Sequence, residues 1–178
     1  VSTEDIAGTE EQVVGQEPQE PVVFTAPKPA EQLHELDFLL GAFRAEYAEV
    51  SFDPPKTGVS FWTTETAMDG HVYEMVQDVP GPGILARWTF GWDTVGQNYF
   101  TTYYDNWGNH GSTRCQGWED GKLNFSGEYF AFGSKFVFNE QFTIVDADHY
   151  RKEGSVKEGD DWRLLDVIEC YRITDPEA

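Results

Sequence analysis

A small set of side chains has the types and spacing to do chemistry in a sheltered site. General acid–base work needs a carboxyl with a shifted pKa in a dry pocket. Glu65, Glu74 and Glu140 qualify by position, since each stands inside a run of strand length and not in a turn. Tyr103 is placed to donate a hydrogen bond to a developing oxyanion. Arg87 and Arg114 stand out because the chain has only 12 basic residues. Pointing inward, they would bind an anion or a carbonyl and would need partners such as Glu74 or Glu140, because a lone buried charge is very costly. Pointing outward, they would simply join cross-strand pairs. Trp62, Trp88, Phe90 and Tyr104 supply apolar walls. The candidate catalytic set is therefore Glu74, Tyr103, Arg87 and Glu140. The candidate substrate-binding set is Trp62, Trp88, Tyr99, Arg114 and Glu65. A cavity walled in this way can speed a cyclisation or isomerisation mainly by holding the reacting conformation.

Other chemistries leave no trace. There is no P-loop, nucleophile elbow, dinucleotide fingerprint or HExxH pattern, so neither a cofactor nor a metal is expected. His71, His110 and His149 each follow a turn, at a rim position, and His34 falls on the polar side of a short helix. Cys115 and Cys170 are not spaced as metal ligands and read as buried free thiols of a reducing compartment. A cytoplasmic location is the matching expectation.

The elements that must position these residues are strands. From Phe43 onward, aromatic-rich runs of strand length alternate with turns of Asp, Asn and Gly. The runs are 43–52, 58–67, 71–79, 84–93, 97–105, 111–119, 122–132, 135–145, 149–157 and 162–173. Pro80-Gly81-Pro82-Gly83 must be a loop, because no central strand accepts it. Ten sequential strands with short turns leave exposed edges unless the sheet closes. The prediction is all-β, an antiparallel up-and-down barrel with one short N-terminal helix. A two-sheet sandwich is the alternative, disfavoured by the lack of a long crossover. Side-chain parity puts Tyr99, Thr101, Tyr103 and Asp105 on one face, and sets Arg87 opposite Trp88 and Phe90. Faces that mix rings and polar groups predict a cavity, where a filled barrel would call for aliphatic side chains.

The helix candidate is 30–40, with Leu33, Leu36 and Leu40 at i, i+3 and i+7 and Gly41 as its stop. Residues 1–29 are acidic, Gln-rich and punctuated by Pro, and read as an extended or disordered segment. Val22, Val23 and Phe24 give that segment an apolar patch that could serve as a lid. Residues 30–174 then form a single domain. The formal net charge is −20. Such a surface repels phosphate backbones and anionic lipid, so nucleic-acid and membrane partners are not expected.

The stretches LDFLLGAFRAE, GWDTVGQNYFTTYYDNWG and GWEDGKLNFSGE resemble a bacterial domain family of unknown function with a lipocalin-like (calycin superfamily) barrel. The resemblance runs from about Leu33 to Ile173. Asp93, Tyr99, Asp105, Gly108, Gly117, Asp120, Gly121 and Gly127 fit its turn-and-strand pattern, whereas Phe43 stands where the family commonly has Trp. The resemblance implies a calycin-like barrel of about ten strands around a cavity. Related barrels bind small hydrophobic molecules, and some bacterial ones act as cyclases in natural-product pathways. The expected function is therefore binding of a small hydrophobic or aromatic ligand in the barrel. The alternatives are a cofactor-independent cyclase, isomerase or lyase, and a structural or protein-interaction domain, with a homodimer as one assembly to consider.

Overall fold

The structure, a computed structural model, describes residues 24–174. The chain forms eleven strands: β1 (Gly41–Glu49), β2 (Lys56–Ala67), β3 (Val72–Val79), β4 (Ile84–Asp93), β5 (Asn98–Asp105), β6 (His110–Cys115), β7 (Trp118–Glu119), β8 (Lys122–Ala131), β9 (Ser134–Asp146), β10 (His149–Glu158) and β11 (Asp161–Arg172). Consecutive strands pair antiparallel, except β6 with β7. β1 also pairs with β11, and β6 with β8, so the sheet closes on itself. β7 is a two-residue bridge on β8, which leaves ten strands in the wall. Closure is what removes the edges that an open meander would expose.

The run 111–119 is not the single strand its composition suggested. It breaks after Cys115, and Gly117 adopts φ 126, a conformation that side chains other than glycine's rarely tolerate. The other turns follow their chemistry. Asp93 Oδ1 accepts from the Val95 and Gly96 amides at 3.0 and 2.9 Å. Asp105 Oδ1 accepts from the Trp107 and Asn109 amides, both at 2.9 Å. Short acidic side chains of this kind hold the main chain in a turn.

The N-terminal helix is real but is a 3-10 helix, Glu31–Leu39. Its buried residues are Leu33, Leu36 and Leu39. A spacing of three matches three residues per turn, so Leu39 takes the place expected for Leu40, which ends the helix in an extended conformation. The helix covers the barrel end where β1 starts. Tyr99 donates to the Gln32 carbonyl and to Glu35, both at 2.8 Å, and Tyr73 donates to Asp37. Arg172 donates to the Leu40 carbonyl at 2.5 Å. Of the expected lid patch, Val22 and Val23 lie outside the described residues, and Phe24 is 92% exposed.

Beneath the helix the barrel is filled mainly by rings, with Met75 and Leu123 among them. Phe43, Trp62, Phe90, Tyr99, Phe125, Phe142 and Tyr150 are all buried there. Phe90, Phe125 and Phe142 meet edge to face, with centroids 5.8, 6.0 and 6.2 Å apart. Edge contacts satisfy the ring quadrupoles and add to the large area each ring buries. Because neighbouring strands are antiparallel, the turns after β1, β3, β5, β8 and β10 gather at the opposite, distal end.

Candidate functional site

The distal half of the lumen has a different character. Alternation along the strands turns Phe138 and Glu140 of β9 inward, together with Lys152, Gly154 and Val156 of β10 and Asp166 of β11. The register places Glu140 and Asp166 on the two sides of Gly154. A Cβ there would stand 2.6 Å from an Asp166 carboxylate oxygen, so glycine lets that carboxylate lie over the strand. Lys152, two residues earlier on the same face, reaches both acids: Nζ lies 3.1 Å from Glu140 Oε1 and 3.4 Å from Asp166 Oδ1. The ammonium also stands 5.7 Å from the centre of the Phe138 ring and 6.0 Å from that of Trp88.

Burial and charge set the protonation states. Glu140 is 1% exposed. Desolvation pushes its pKa up to about 7, although Lys152 and Tyr129 pull the other way. Burial alone would lower Lys152, but Asp166 and Glu140 more than reverse this, so its pKa ends above the usual lysine value. A lysine held protonated is no nucleophile, and Schiff-base chemistry finds no support here. The carboxyl of Glu140, in contrast, is balanced near neutrality.

Aromatic walls flank this cluster. Trp88, Tyr103, Tyr129 and Phe138 form a run of rings with successive centroids 5.1, 5.3 and 5.0 Å apart. Trp88 is fixed by its indole N–H, which donates to Gln77 at 2.8 Å. Tyr103 donates to Asp105 at 2.8 Å, and its pKa is raised first by burial and then by that carboxylate. The Tyr129 hydroxyl donates to the Glu140 carboxyl, which is one of the causes holding its pKa down. The buried hydroxyl of Thr64 has no hydrogen-bond partner among the described residues.

The candidate residues divide between the two faces. Glu140, Tyr103, Trp88, Trp62 and Tyr99 point inward, but Trp62 and Tyr99 belong to the packed half under the helix. Trp62 donates to Ser60 at 2.9 Å. Glu74, Glu65, Arg87 and Arg114 point outward, because each alternates with a buried neighbour such as Met75, Thr64, Trp88 or Thr113. Tyr104, expected in the apolar wall, is exposed for the same reason. Glu65 stands directly opposite Glu74 across β2 and β3. Arg114 pairs with Asp93 at 2.9 Å on the outer surface. The structure therefore does not bring Glu74, Arg87, Arg114 or Glu65 together with Glu140.

Four residues of the site, Lys152, Asp166, Tyr129 and Gln77, do not stand out in the sequence as the candidates above do. For Lys152 a signal exists: Tyr150, Lys152, Gly154 and Val156 share one face, and a lone lysine among apolar neighbours and a glycine marks an inward charge. Among the described residues no group of three or more His, Cys, Asp or Glu is arranged to hold a metal. Cys115 and Cys170 are free and buried. Burial pushes the Cys170 thiol up to about 12, which makes it inert. His149 binds Glu169 at 2.8 Å and stacks on Tyr171. Two depressions of about 540 and 430 Å³ are present, the first at the distal rim beside Trp107, His110, Phe130 and Phe132, the second on the outer wall along β1 and β2.

No family model matches the chain. No curated protein is detectably similar to it in sequence. Among solved structures, the crystal structure of Rv2717c from M. tuberculosis superposes with a TM-score of 0.60 at 10% identity, covering 82% of this chain and 99% of that one. A likeness at that identity concerns the fold: a closed antiparallel barrel, an architecture consistent with ligand binding.

Proposed function

We propose that this is a lipocalin-like barrel that binds a small hydrophobic or aromatic molecule in the distal half of its lumen. One observation carries the reading. The Glu140 carboxyl, the Lys152 ammonium and the Tyr129 hydroxyl converge beside a wall of four rings. Aromatic walls with a few convergent polar groups are the usual make-up of a small-molecule site. The two buried free thiols support a reducing, cytoplasmic setting. The test is to titrate a panel of small aromatic compounds and follow the Trp88 indole N–H by NMR. Saturable shifts at Trp88 are expected. Shifts restricted to outer-wall residues such as Glu46, Val59 and Val167 would sink the proposal.

A second reading, a cofactor-independent cyclase, isomerase or lyase, is favoured by one specific fact. The pKa of Glu140 is pushed up to about 7, and a general acid–base works best near the operating pH. In this reading Glu140 moves the proton while the rings hold the substrate. Glu140→Gln should then retain binding and lose turnover. Unchanged turnover removes Glu140 from that role.

A further inference from the structure

The turn between β8 and β9 is built against its own chemistry. Ala131 and Ser134 pair across the hairpin, so Phe132 and Gly133 form a two-residue turn, with φ 51 and 74. Positive φ at both positions is the geometry that Asn-Gly adopts most readily. For a bulky side chain it is an outlier. Within the chain the Phe132 ring gains little in return. It is 76% exposed and meets the Trp107 ring edge to face at 6.3 Å, and that ring is itself 51% exposed. The two turns are tied together: Asn109 Oδ1 accepts from the Phe132 amide at 3.3 Å, while Asp105 holds the Trp107 and Asn109 amides. Both rings are therefore presented outward on fixed supports at the distal rim.

The depression beside them differs in charge from the rest of the molecule. None of the ten described residues that line it is Asp or Glu, in a chain with 32 acidic residues and 12 basic ones. His110 lies flat on Phe130, with centroids 4.9 Å apart, and Lys135 Nζ stands 5.7 Å from the centre of the Phe130 ring. Lys135 also pairs with Glu128, and both side chains are about half exposed. We propose that a second copy of the chain docks on this patch about a twofold axis. Trp107, Phe130 and Phe132 are buried at the centre, and Lys135 of each copy faces the partner's Glu128. Charge selects this occupant. A chain of net charge −20 sets acid against acid over most of its surface when it meets its own copy, and a patch lined without acids avoids that. A Lys–Glu pair is complementary to itself when turned about a twofold axis, as a contact between identical surfaces requires. Interface centres are rich in Trp and Phe and poor in Asp and Glu. The contact lies outside the lumen and does not depend on what the lumen binds.

Sedimentation velocity on the full chain, over about 5 to 500 μM, should show the mass rise from 20.2 kDa toward twice that value. Trp107→Ser should weaken association about tenfold or more, and so should Phe132→Asn. The second variant separates the interface from the fold. Asn-Gly suits the turn better than Phe-Gly, so the melting temperature should rise while association falls. Charge reversal tests the symmetry. Lys135→Glu alone and Glu128→Lys alone each set like charges across the axis, and each should weaken association several-fold. An equal mixture of the two variants should associate at least as well as the native chain, because every mixed pair joins two acids to two lysines. A monomer at every concentration overturns the proposal. So does a dimer that neither aromatic substitution weakens, since it then forms through another face. A mixture no tighter than either variant alone shows that the copies do not meet about this axis, and the twofold arrangement falls with it.

Discussion

Tyr129 lies over Gly111, its partner across β6 and β8, with ring carbons 2.6, 2.7 and 2.8 Å from where a Cβ of residue 111 would stand. The ring thus fills the room a side chain at 111 would take, and so rests against the barrel wall. One of the atoms met is Cγ, next to the main chain, so a small rotation does not clear it. Gly111→Ala should cost about 1–3 kcal/mol, the usual range for overpacking, and push the ring toward the lumen. Tyr47 lies over Gly58 in the same manner, but there the atoms met are Oη, Cζ and Cε1, at the free end of the side chain. Gly58→Ala should therefore cost less. Urea denaturation of the two variants checks the ranking, and equal costs would refute it.

Lys152 supports two buried acids at once, and its loss should be felt accordingly. Lys152→Met keeps most of the volume but leaves Glu140 and Asp166 without their cation. Breaking one side of a buried ion pair costs about 3–5 kcal/mol. Adding Glu140→Gln to that variant should recover part of the loss. A double-mutant cycle in denaturant measures the coupling, and strictly additive costs would show that the pair does not act as a unit.

The pH dependence of stability has a definite sign. Glu140 titrates at about 7 in the folded chain against an ordinary value of 4.5. Between those values the unfolded chain releases a proton that the folded chain retains. The contribution of Glu140 to stability therefore falls as pH rises through this window, by up to roughly 3 kcal/mol, and is flat above it. Glu140→Gln lacks that slope, so its destabilisation relative to the native chain should be greater near pH 5 than near pH 8. Denaturation curves at the two values decide it, and the opposite order would mean that the carboxyl is ionised throughout.

The outward residues should be close to silent. Arg87→Ala and Glu74→Gln alter an exposed and a half-buried side chain on the outer wall. Surface changes of this kind usually stay within about 0.5 kcal/mol, and neither should alter binding at Trp88. A binding defect in Arg87→Ala would place the site on the outer wall instead.

How far the site is legible in the sequence differs from strand to strand. In 97–105 the alternation alone puts Tyr103 and Asp105 together, and they are joined by a hydrogen bond at 2.8 Å. The same alternation sets Arg87 opposite Trp88, but parity names two faces without saying which is inside. In β4 both faces carry a large side chain, and only the company each one keeps decides the matter. Trp88 meets rings from other strands, whereas Arg87 meets solvent. Lys152 is only half legible: in HYRKEGSVK it is the lone charge beside Tyr150, Gly154 and Val156, but the acids it pairs with lie on β9 and β11.

The local chemistry of the chain determined the strands, the turns and the barrel. Turn residues at short intervals leave only antiparallel neighbours within reach, and ten such strands must close to satisfy their edges. Apolar leucines before β1 also required a docked helix, though the choice of a 3-10 form came from packing Leu33, Leu36 and Leu39 against the barrel end. The tertiary structure alone decided which half of the lumen is filled with rings and which holds the ion cluster. That division arises because the registers of β8 to β11 bring Tyr129, Glu140, Lys152 and Asp166 to one region, while closure through β6 and β8 carries Tyr103 of β5 and Trp88 of β4 round to meet them. Glu140, Lys152, Asp166 and Tyr129 become neighbours only there, through registers that no single strand encodes.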